Sequence, residues 1–352
     1  MFFDCFSSAR NASTEVPTLC LNNGSKMPAL GLGTWGATEG YQCIEKFDAS
    51  EAPATGRTKP EEMVDAMKCA LDIGYRLVDT AFLYKNEQQI GQVIKAKIEE
   101  KTLKREDIFV VTKLWNSFHN PKNVKTACEK SLKNLSMDYI DLYLMHTPMG
   151  AQLTDDPYNF SSVNKDGKPS FTDDDYICTW QAMEDLVDKC FCKSIGICNF
   201  NLDQMKRLIQ HAKIKPQVLQ MELHPYLTQK ELCEYCKCHK IIIMAYSPLG
   251  SPSRPWAGKD TPKILLQEKP VLNIAEKHNK TPAQVLIRYP IDLGYATIPQ
   301  SGKSVEFMKE NFDALNFKLC PEDSRWPSTS SIWTVNALLQ EIFTDCRNLY
   351  FI

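Results

Sequence analysis

Asn123-Val-Lys-Thr-Ala-Cys-Glu-Lys-Ser-Leu-Lys-Asn-Leu135 followed by Ser136-Met-Asp-Tyr-Ile-Asp-Leu-Tyr-Leu-Met-His146 is the stretch that decides the fold. In its first half Val124, Ala127, Cys128, Leu132 and Leu135 recur at helical spacing. In its second half an almost unbroken apolar run ends on a histidine. An amphipathic helix feeding a strand that is apolar on both faces is the unit of a parallel sheet covered by helices. The same unit repeats outward in both directions. Strands are predicted at 30–34, 77–81, 108–114, 139–146, 194–199, 218–222, 241–246 and 296–299. Helices are predicted at 60–73, 87–100, 123–135, 176–189, 202–212, 229–240, 281–292 and 304–315, several opened by a proline near the first turn, as in Lys59-Pro60, Asn120-Pro121 and Thr281-Pro282. Eight strands alternating with eight helices predict an α/β fold, a (β/α)8 TIM barrel. Ahead of it, Thr18-Leu-Cys-Leu21, Asn22-Asn-Gly-Ser25 and Lys26-Met-Pro28 read as a β-hairpin cap, with Asn-Gly supplying the positive φ of a tight turn. Segments 36–59, 149–174 and 248–262 are rich in Gly, Pro, Ser, Thr and Asp and are expected to be long βα loops.

Composition narrows the function. With 41 Lys+Arg against 43 Asp+Glu the formal charge is -2, so the chain lacks the basic footprint of a nucleic-acid or anionic-membrane binder. Its 43% apolar residues suit an ordinary globular core. Fourteen cysteines, scattered along the chain, fit reduced thiols in a cytosol better than a disulfide scaffold. The opening Met-Phe-Phe-Asp-Cys-Phe does not have the pattern of a signal peptide, and the longest apolar run, 241–246, is too short to cross a bilayer. A cytoplasmic protein with no nucleic-acid or membrane partner is therefore expected; that it works as a monomer is a separate expectation, not one its composition carries.

The strand ends carry the chemistry. In order they present Thr34, Asp79, Lys113, His146, Asn199, Gln220 with Glu222, Tyr246 with Ser247, and Gln300 with Ser301. The C-terminal rim is where a barrel of this kind builds its active site. Tyr84 follows Asp79 by five residues. An ammonium beside a phenol favours the phenolate, so Lys113 is expected to bring the Tyr84 pKa down toward working range, with Asp79 holding Lys113 charged. His146 can donate a hydrogen bond to a carbonyl oxygen. Together these polarise a carbonyl and deliver a proton to its oxygen. The hydride needs a cofactor, with Tyr246 placed to stack on a nicotinamide and Asn199 and Gln220 to bind its carboxamide.

The sequence resembles the aldo-keto reductase family through seven collinear blocks within about residues 18–320: Leu30-Gly-Leu-Gly-Thr-Trp35, Gly74-Tyr-Arg-Leu-Val-Asp79-Thr-Ala-Phe-Leu-Tyr84-Lys-Asn-Glu87, Thr112-Lys-Leu-Trp115, Asp138 to His146, Ile195-Gly-Ile-Cys-Asn199-Phe-Asn201, Gln220-Met-Glu-Leu-His-Pro-Tyr-Leu227, and Ala245-Tyr-Ser-Pro-Leu-Gly250. The resemblance implies a (β/α)8 barrel binding NADP(H) in extended form, with NAD(H) as the alternative, and a small-molecule carbonyl substrate reduced to an alcohol. It makes Tyr84 the proton donor, Lys113 and Asp79 its tuning partners and His146 the orienter of the carbonyl. The implied cofactor contacts are Thr34, Trp35, Cys198, Asn199, Gln220, Tyr246, Ser247, Leu249, Ser251, Gln300, Ser301, Glu310 and Asn311. The implied substrate contacts are Trp35, Leu83, Trp115, His146 and Thr147. Residues 1–17 are expected to be a flexible lead-in. Residues 321–352, where the resemblance weakens, are expected to pack over the substrate pocket.

Four departures from the family pattern stand out. Cys198 replaces the usual Ser beside Asn199, and a thiol is the weaker hydrogen-bond partner. Thr147 follows His146 where an aromatic residue is common, which opens the pocket to bulkier carbonyls such as steroids. Gln300 and Phe307 stand where NADPH users present Lys and Arg to the 2′-phosphate, leaving Lys303 as a substitute. The alternative reading from another class is a barrel that binds cofactor but has lost useful turnover and serves as a binding or structural subunit.

Three motifs are set aside. Gly31-x-Gly33-x-x-Gly36 lacks the helix a dinucleotide fingerprint needs. Tyr226-x-x-x-Lys230 lacks a preceding Rossmann unit and reads as the start of a helix. The run Cys233, Cys236, Cys238 and His239 cannot close a tetrahedron from one helix, so no metal site is expected; as a thiol redox sensor it would need a low-pKa cysteine. Cys190, Cys192 and Cys198 read as small packing residues.

Overall fold

The computed structural model describes residues 16–35, 60–154, 171–251, 264–300 and 304–323. The 36–59 loop, the centres of the 149–174 and 248–262 loops, and most of the 321–352 tail lie outside them. Strands β1 (Thr18–Cys20) and β2 (Lys26–Pro28) pair antiparallel as the hairpin. Its turn is tighter chemistry than Asn-Gly alone suggests: only Gly24 takes a positive φ, +87°, while the Gly24 N–H donates to the Leu21 carbonyl at 2.9 Å.

Eight parallel strands follow: β3 (Leu32–Gly33), β4 (Leu77–Asp79), β5 (Phe109–Leu114), β6 (Ile140–Met145), β7 (Cys192–Cys198), β8 (Val218–Glu222), β9 (Ile242–Tyr246) and β10 (Ala296–Thr297). They lie side by side in chain order. Parallel bridges Leu30 to Thr297 and Gly33 to Gln300 join the last strand to the first and close the barrel. All eight predicted strands are present. The crossovers are α1 (Pro60–Ile73), α2 (Glu87–Glu99), α3 (Pro121–Leu135), α4 (Tyr176–Asp188), α5 (Leu202–His211), α6 (Lys230–Cys238), α7 (Lys269–His278), α8 (Pro282–Asp292) and α9 (Val305–Asp313). The sequence reading holds a single helix between β9 and β10, whereas α7 precedes α8 there.

The helix starts follow local chemistry. The Asn120 side chain accepts the Lys122 N–H ahead of Pro121. Thr281 and Gln284 bond reciprocally in a capping box with Pro282 at the first turn. Helix faces and strand exteriors meet in one apolar layer that includes Tyr75, Ile90, Phe118, Tyr143, Trp180 and Ile287. A second cluster, Leu77, Phe109, Val111, Leu142, Leu144, Val218, Met244, Ala296 and Ile298, fills the inside of the barrel, with Leu21 and Met27 of the hairpin packed into it. The hairpin tip is tied down as well: Asn22 Nδ2 donates to the Pro216 carbonyl at 3.0 Å, and Asn23 Nδ2 to Lys193 O at 3.1 Å and Ser194 Oγ at 2.9 Å. The hairpin thus plugs the end of the barrel where the strands begin, and the opposite end is left to the strand-end polar residues.

Candidate active site

Three strand ends bring Asp79, Lys113 and His146 together with Tyr84, which comes from the turn after β4. Lys113 is fully buried; its Nζ lies 2.6 Å from Asp79 Oδ1, donates to the Thr80 carbonyl at 2.9 Å and reaches Tyr84 Oη at 3.3 Å. Gln220 Nε2 donates to the second carboxylate oxygen of Asp79 at 2.6 Å. The charge pair is therefore hydrogen-bonded on both sides, as a buried pair must be. Burial pushes the Asp79 carboxyl upward, and Lys113 and Gln220 oppose that shift.

Tyr84 departs from expectation. Its pKa is pushed well above the ordinary phenol value, first by burial and then by the charge of Asp79 and the Cys198 thiol. Lys113 donates to Tyr84, but its charge is balanced by the nearer Asp79, so it does not make a phenolate. Tyr84 is held as a neutral phenol whose oxygen accepts from Lys113, leaving its own proton to be donated elsewhere.

The His146 ring packs edge-on to Tyr84 and to Trp115, with centroids 5.8 and 5.3 Å apart. Burial, then Lys113, then His119 hold its pKa well below the ordinary imidazole range, so it is neutral at neutral pH. Its carbonyl accepts from Asn199 Nδ2 at 3.0 Å, and Asn199 Oδ1 accepts from the Tyr246 hydroxyl at 2.8 Å. Trp35, 44% exposed, packs tilted against Tyr84 at the mouth, with ring centroids 4.8 Å apart. Thr34 donates to the Asp79 carbonyl at 2.9 Å. Leu83 is half-buried in the same turn as Tyr84. Thr147 is buried and donates to Asn116 Oδ1 at 2.8 Å.

The strand-end residues of the cofactor reading, Cys198, Asn199, Gln220 and Tyr246, lie on the same rim. Cys198 is buried and lies 3.6 Å from Gln220 Oε1, with its thiol pushed up to about 12 by burial, so it is a weak donor and not a nucleophile. After β9 the backbone turns left-handed at Ser247, Gly250 and Ser251. Gly250, at φ +70°, has Leu265 only 3.3 Å from where a Cβ would sit. Such turns aim backbone N–H groups into a concavity that suits phosphates. With the aromatic face of Tyr246 and the amides of Asn199 and Gln220 alongside, the donor set fits a nicotinamide dinucleotide. Leu249 is half-buried against the core. Gln300 sits beside Gly33 through the closing bridge, Asn311 is buried on α9, and the Glu310 carboxylate accepts from Thr281. Ser301 and Lys303 lie outside the described residues. Phe307, in the first turn of α9, is 59% exposed.

A profile of the Aldo/keto reductase family matches residues 29–325. The chain belongs to that family. It is 40% identical over 343 residues to the Aldo-keto reductase family 1 member A1-A of Danio rerio, covering 95% of this chain and 97% of that protein. It is 39% identical over 312 residues to the family 1 member A1 of Xenopus tropicalis, covering 88% of each. The solved structure of the aldose reductase from Schistosoma japonicum superposes with a TM-score of 0.75 at 36% identity, covering 88% of this chain and 90% of that one. As a member of this family the chain is an NAD(P)H-dependent oxidoreductase acting on small-molecule carbonyls. Among the described residues no helix is long and apolar enough to cross a membrane.

Three groups in this aldo/keto reductase escape the sequence reading. Asn86 joins Thr80 Oγ1 at 2.6 Å and the Thr34 carbonyl at 3.1 Å, stitching the first two strand ends. Asn116 holds Thr147, and a polar residue one step past Trp115 was the available signal. His119 is fully buried, its ring nitrogens have no hydrogen-bond partner among the described residues, and burial lowers its pKa to about 4. Two of the set-aside motifs end in helix packing: Lys230 simply opens α6, and Cys233 and Cys236 face the core with thiols raised to about 11 and about 12 by burial while Cys238 is exposed. Cys192 is buried and Cys190 exposed, and the cysteines of the described residues are free thiols.

Proposed function

We propose that this chain reduces aldehydes and ketones to alcohols with NADP(H), NAD(H) being the second cofactor, and that Tyr84 is the proton donor. The observation that carries this is the buried line Asp79–Lys113–Tyr84, at 2.6 Å and then 3.3 Å. Lys113 donates to the phenol oxygen, so the phenolic proton points to the substrate. Neutral His146 offers a ring N–H to the same carbonyl oxygen and fixes which face of the carbonyl is presented. Asn199, Gln220 and Tyr246, with the 247–251 turn and Gln300, Ser301, Glu310 and Asn311, would hold a nicotinamide dinucleotide, which when bound would supply the hydride. As negative charge grows on the carbonyl oxygen, Tyr84 transfers its proton and Lys113 stabilises the phenolate that remains. Thr147, turned onto Asn116, fills less of the pocket side next to His146 than an aromatic would, which leaves room for bulky carbonyls.

Within this reading the barrel is residues 18–320, the tail from 321 onward shapes substrate choice, and the protein works as a cytoplasmic monomer. The assembled tetrad does not favour the binding-only alternative. The test is single-turnover reduction by Tyr84→Phe with NADPH and NADH in parallel. The expected result is a loss of about 10²–10⁴-fold in the chemical step with cofactor affinity unchanged. An unchanged rate would remove Tyr84 from the proton-donor role.

A further inference from the structure

Away from the catalytic rim, three ligand types of one metal converge where the chain leaves the barrel. Helix α7 ends at His278, and after α9 the segment Cys320-Pro-Glu-Asp323 folds into a tight turn in which the Asp323 N–H donates to the Cys320 carbonyl at 2.9 Å and the Cys320 N–H to Asp323 Oδ2 at 3.1 Å. That turn brings the Cys320 thiol and the Asp323 carboxylate to the same side, facing His278. An imidazole nitrogen, the Sγ and a carboxylate oxygen all lie within 4.8 Å of one another. Asp323 is buried and His278 and Cys320 are half-buried. We propose that His278, Cys320 and Asp323 form a Zn²⁺ site that fastens the chain's exit from the barrel to α7.

The donor chemistry selects the ion. Thiolate, imidazole and carboxylate together suit borderline-soft Zn²⁺, whereas Mg²⁺ and Ca²⁺ want oxygen alone. With Zn–N and Zn–O near 2.0 Å and Zn–S near 2.3 Å, a tetrahedral site sets ligand atoms roughly 3.5 Å apart, so separations now as wide as 4.8 Å must close by about 1 Å while the His278–Asp323 pair, now 2.7 Å apart, opens by slightly less. Three protein ligands leave a fourth position for water.

The charges around the site have somewhere to go. His278 Nε2 is 2.7 Å from Asp323 Oδ2, and Lys277 Nζ is 2.9 Å from Asp323 Oδ1. Lys277 Nζ also lies 3.5 Å from Glu322 Oε1, so the ammonium can transfer to that carboxylate when a dication takes Asp323.

The test is Zn²⁺ titration of the full chain, stripped with chelator, by competition with a chromophoric zinc indicator, repeated with Co²⁺ to read a thiolate-to-metal charge-transfer band. The expected result is one equivalent bound, weakened about tenfold or more in Cys320→Ser and in His278→Gln, with the Co²⁺ band lost in Cys320→Ser. Cys238→Ser, an exposed thiol on α6, should bind as the unaltered protein does. Lys277→Met, which removes the competing cation, should bind more tightly. Thermal unfolding in the absence of metal reports that each variant is folded. Absence of a bound equivalent at micromolar Zn²⁺, or binding that survives both ligand substitutions, would overturn the site.

Discussion

At one end of this barrel the strands enclose Leu77, Phe109, Leu142 and Val218 sealed by Leu21 and Met27, whereas a few residues along the same strands the interior holds Asp79, Lys113 and Gln220. Both ends are buried, and the strands that build them are continuous. The apolar end gains about 1.5–3 kcal/mol for each large side chain removed from water. The charged end loses hydration on both ions and recovers it only through geometry that satisfies every donor and acceptor. The difference teaches that the stability of the fold is generated at the plugged end and drawn upon at the open one.

The sharpest way to break the comparison is to remove one partner of the buried pair. Lys113→Met leaves the Asp79 carboxyl without its cation and is expected to lower unfolding free energy by about 3–5 kcal/mol in urea, together with loss of turnover. Asp79→Leu combined with Lys113→Met should recover much of that stability without recovering activity. In the apolar interior, bordering the charged layer, Leu144 pairs in register with Lys113 on one side and with Gly196 on the other. A Cβ at Gly196 would come 2.7 Å from Leu144 Cδ2, so the glycine makes the space the leucine fills. Leu144→Ala should cost about 2–5 kcal/mol through the cavity it leaves while changing the chemical step little.

The smallest effect tests acid sensitivity, which comes from the open end. His119 has an ordinary value of 6.5 and a folded value of about 4. Above pH 6.5 both the folded and the unfolded ring are neutral and nothing is contributed. As pH falls from 6.5 toward 4 the unfolded ring takes a proton that the buried ring refuses, so the folded state loses about 2–3 kcal/mol by pH 4.5. His146, lowered in the same sense, adds to the loss. Urea unfolding at pH 7 and 4.5 should show this slope, and His119→Phe should flatten part of it.

Most of the barrel was readable because apolar runs and helical spacing report burial directly, and the rim because each strand ends on a polar residue. Helix α7 was not, since only Val271 and Ala275 are buried and Leu272 is 45% exposed, which leaves little stripe to detect. The direction of the Tyr84 shift was also hidden. Sequence shows that an ammonium is near, but not that the phenol is buried deeply enough to outweigh it, nor that the Asp79 carboxylate lies closer to the ammonium than the phenol does. His119 carried no signal beyond its identity, because what distinguishes it is the absence, among the described residues, of a hydrogen-bond partner for either ring nitrogen. The Zn²⁺ ligands are separated by 42 residues between His278 and Cys320, and no local pattern joins them.

The closing bridges have a consequence for how the chain reaches this state. Leu30 must wait for Thr297 before the first strand gains its second neighbour, and the hairpin tip must wait for Lys193 and Pro216. At ~5–20 residues per second of synthesis, the delay between those two strands emerging is on the order of tens of seconds. Through that interval β3 is an open edge, able to pair with any other exposed strand. Contacts this distant in sequence also make the final closure slow once the whole chain is available. The nascent protein therefore passes through a period in which its first strand is its most association-prone surface, and that period ends only when the last strand arrives.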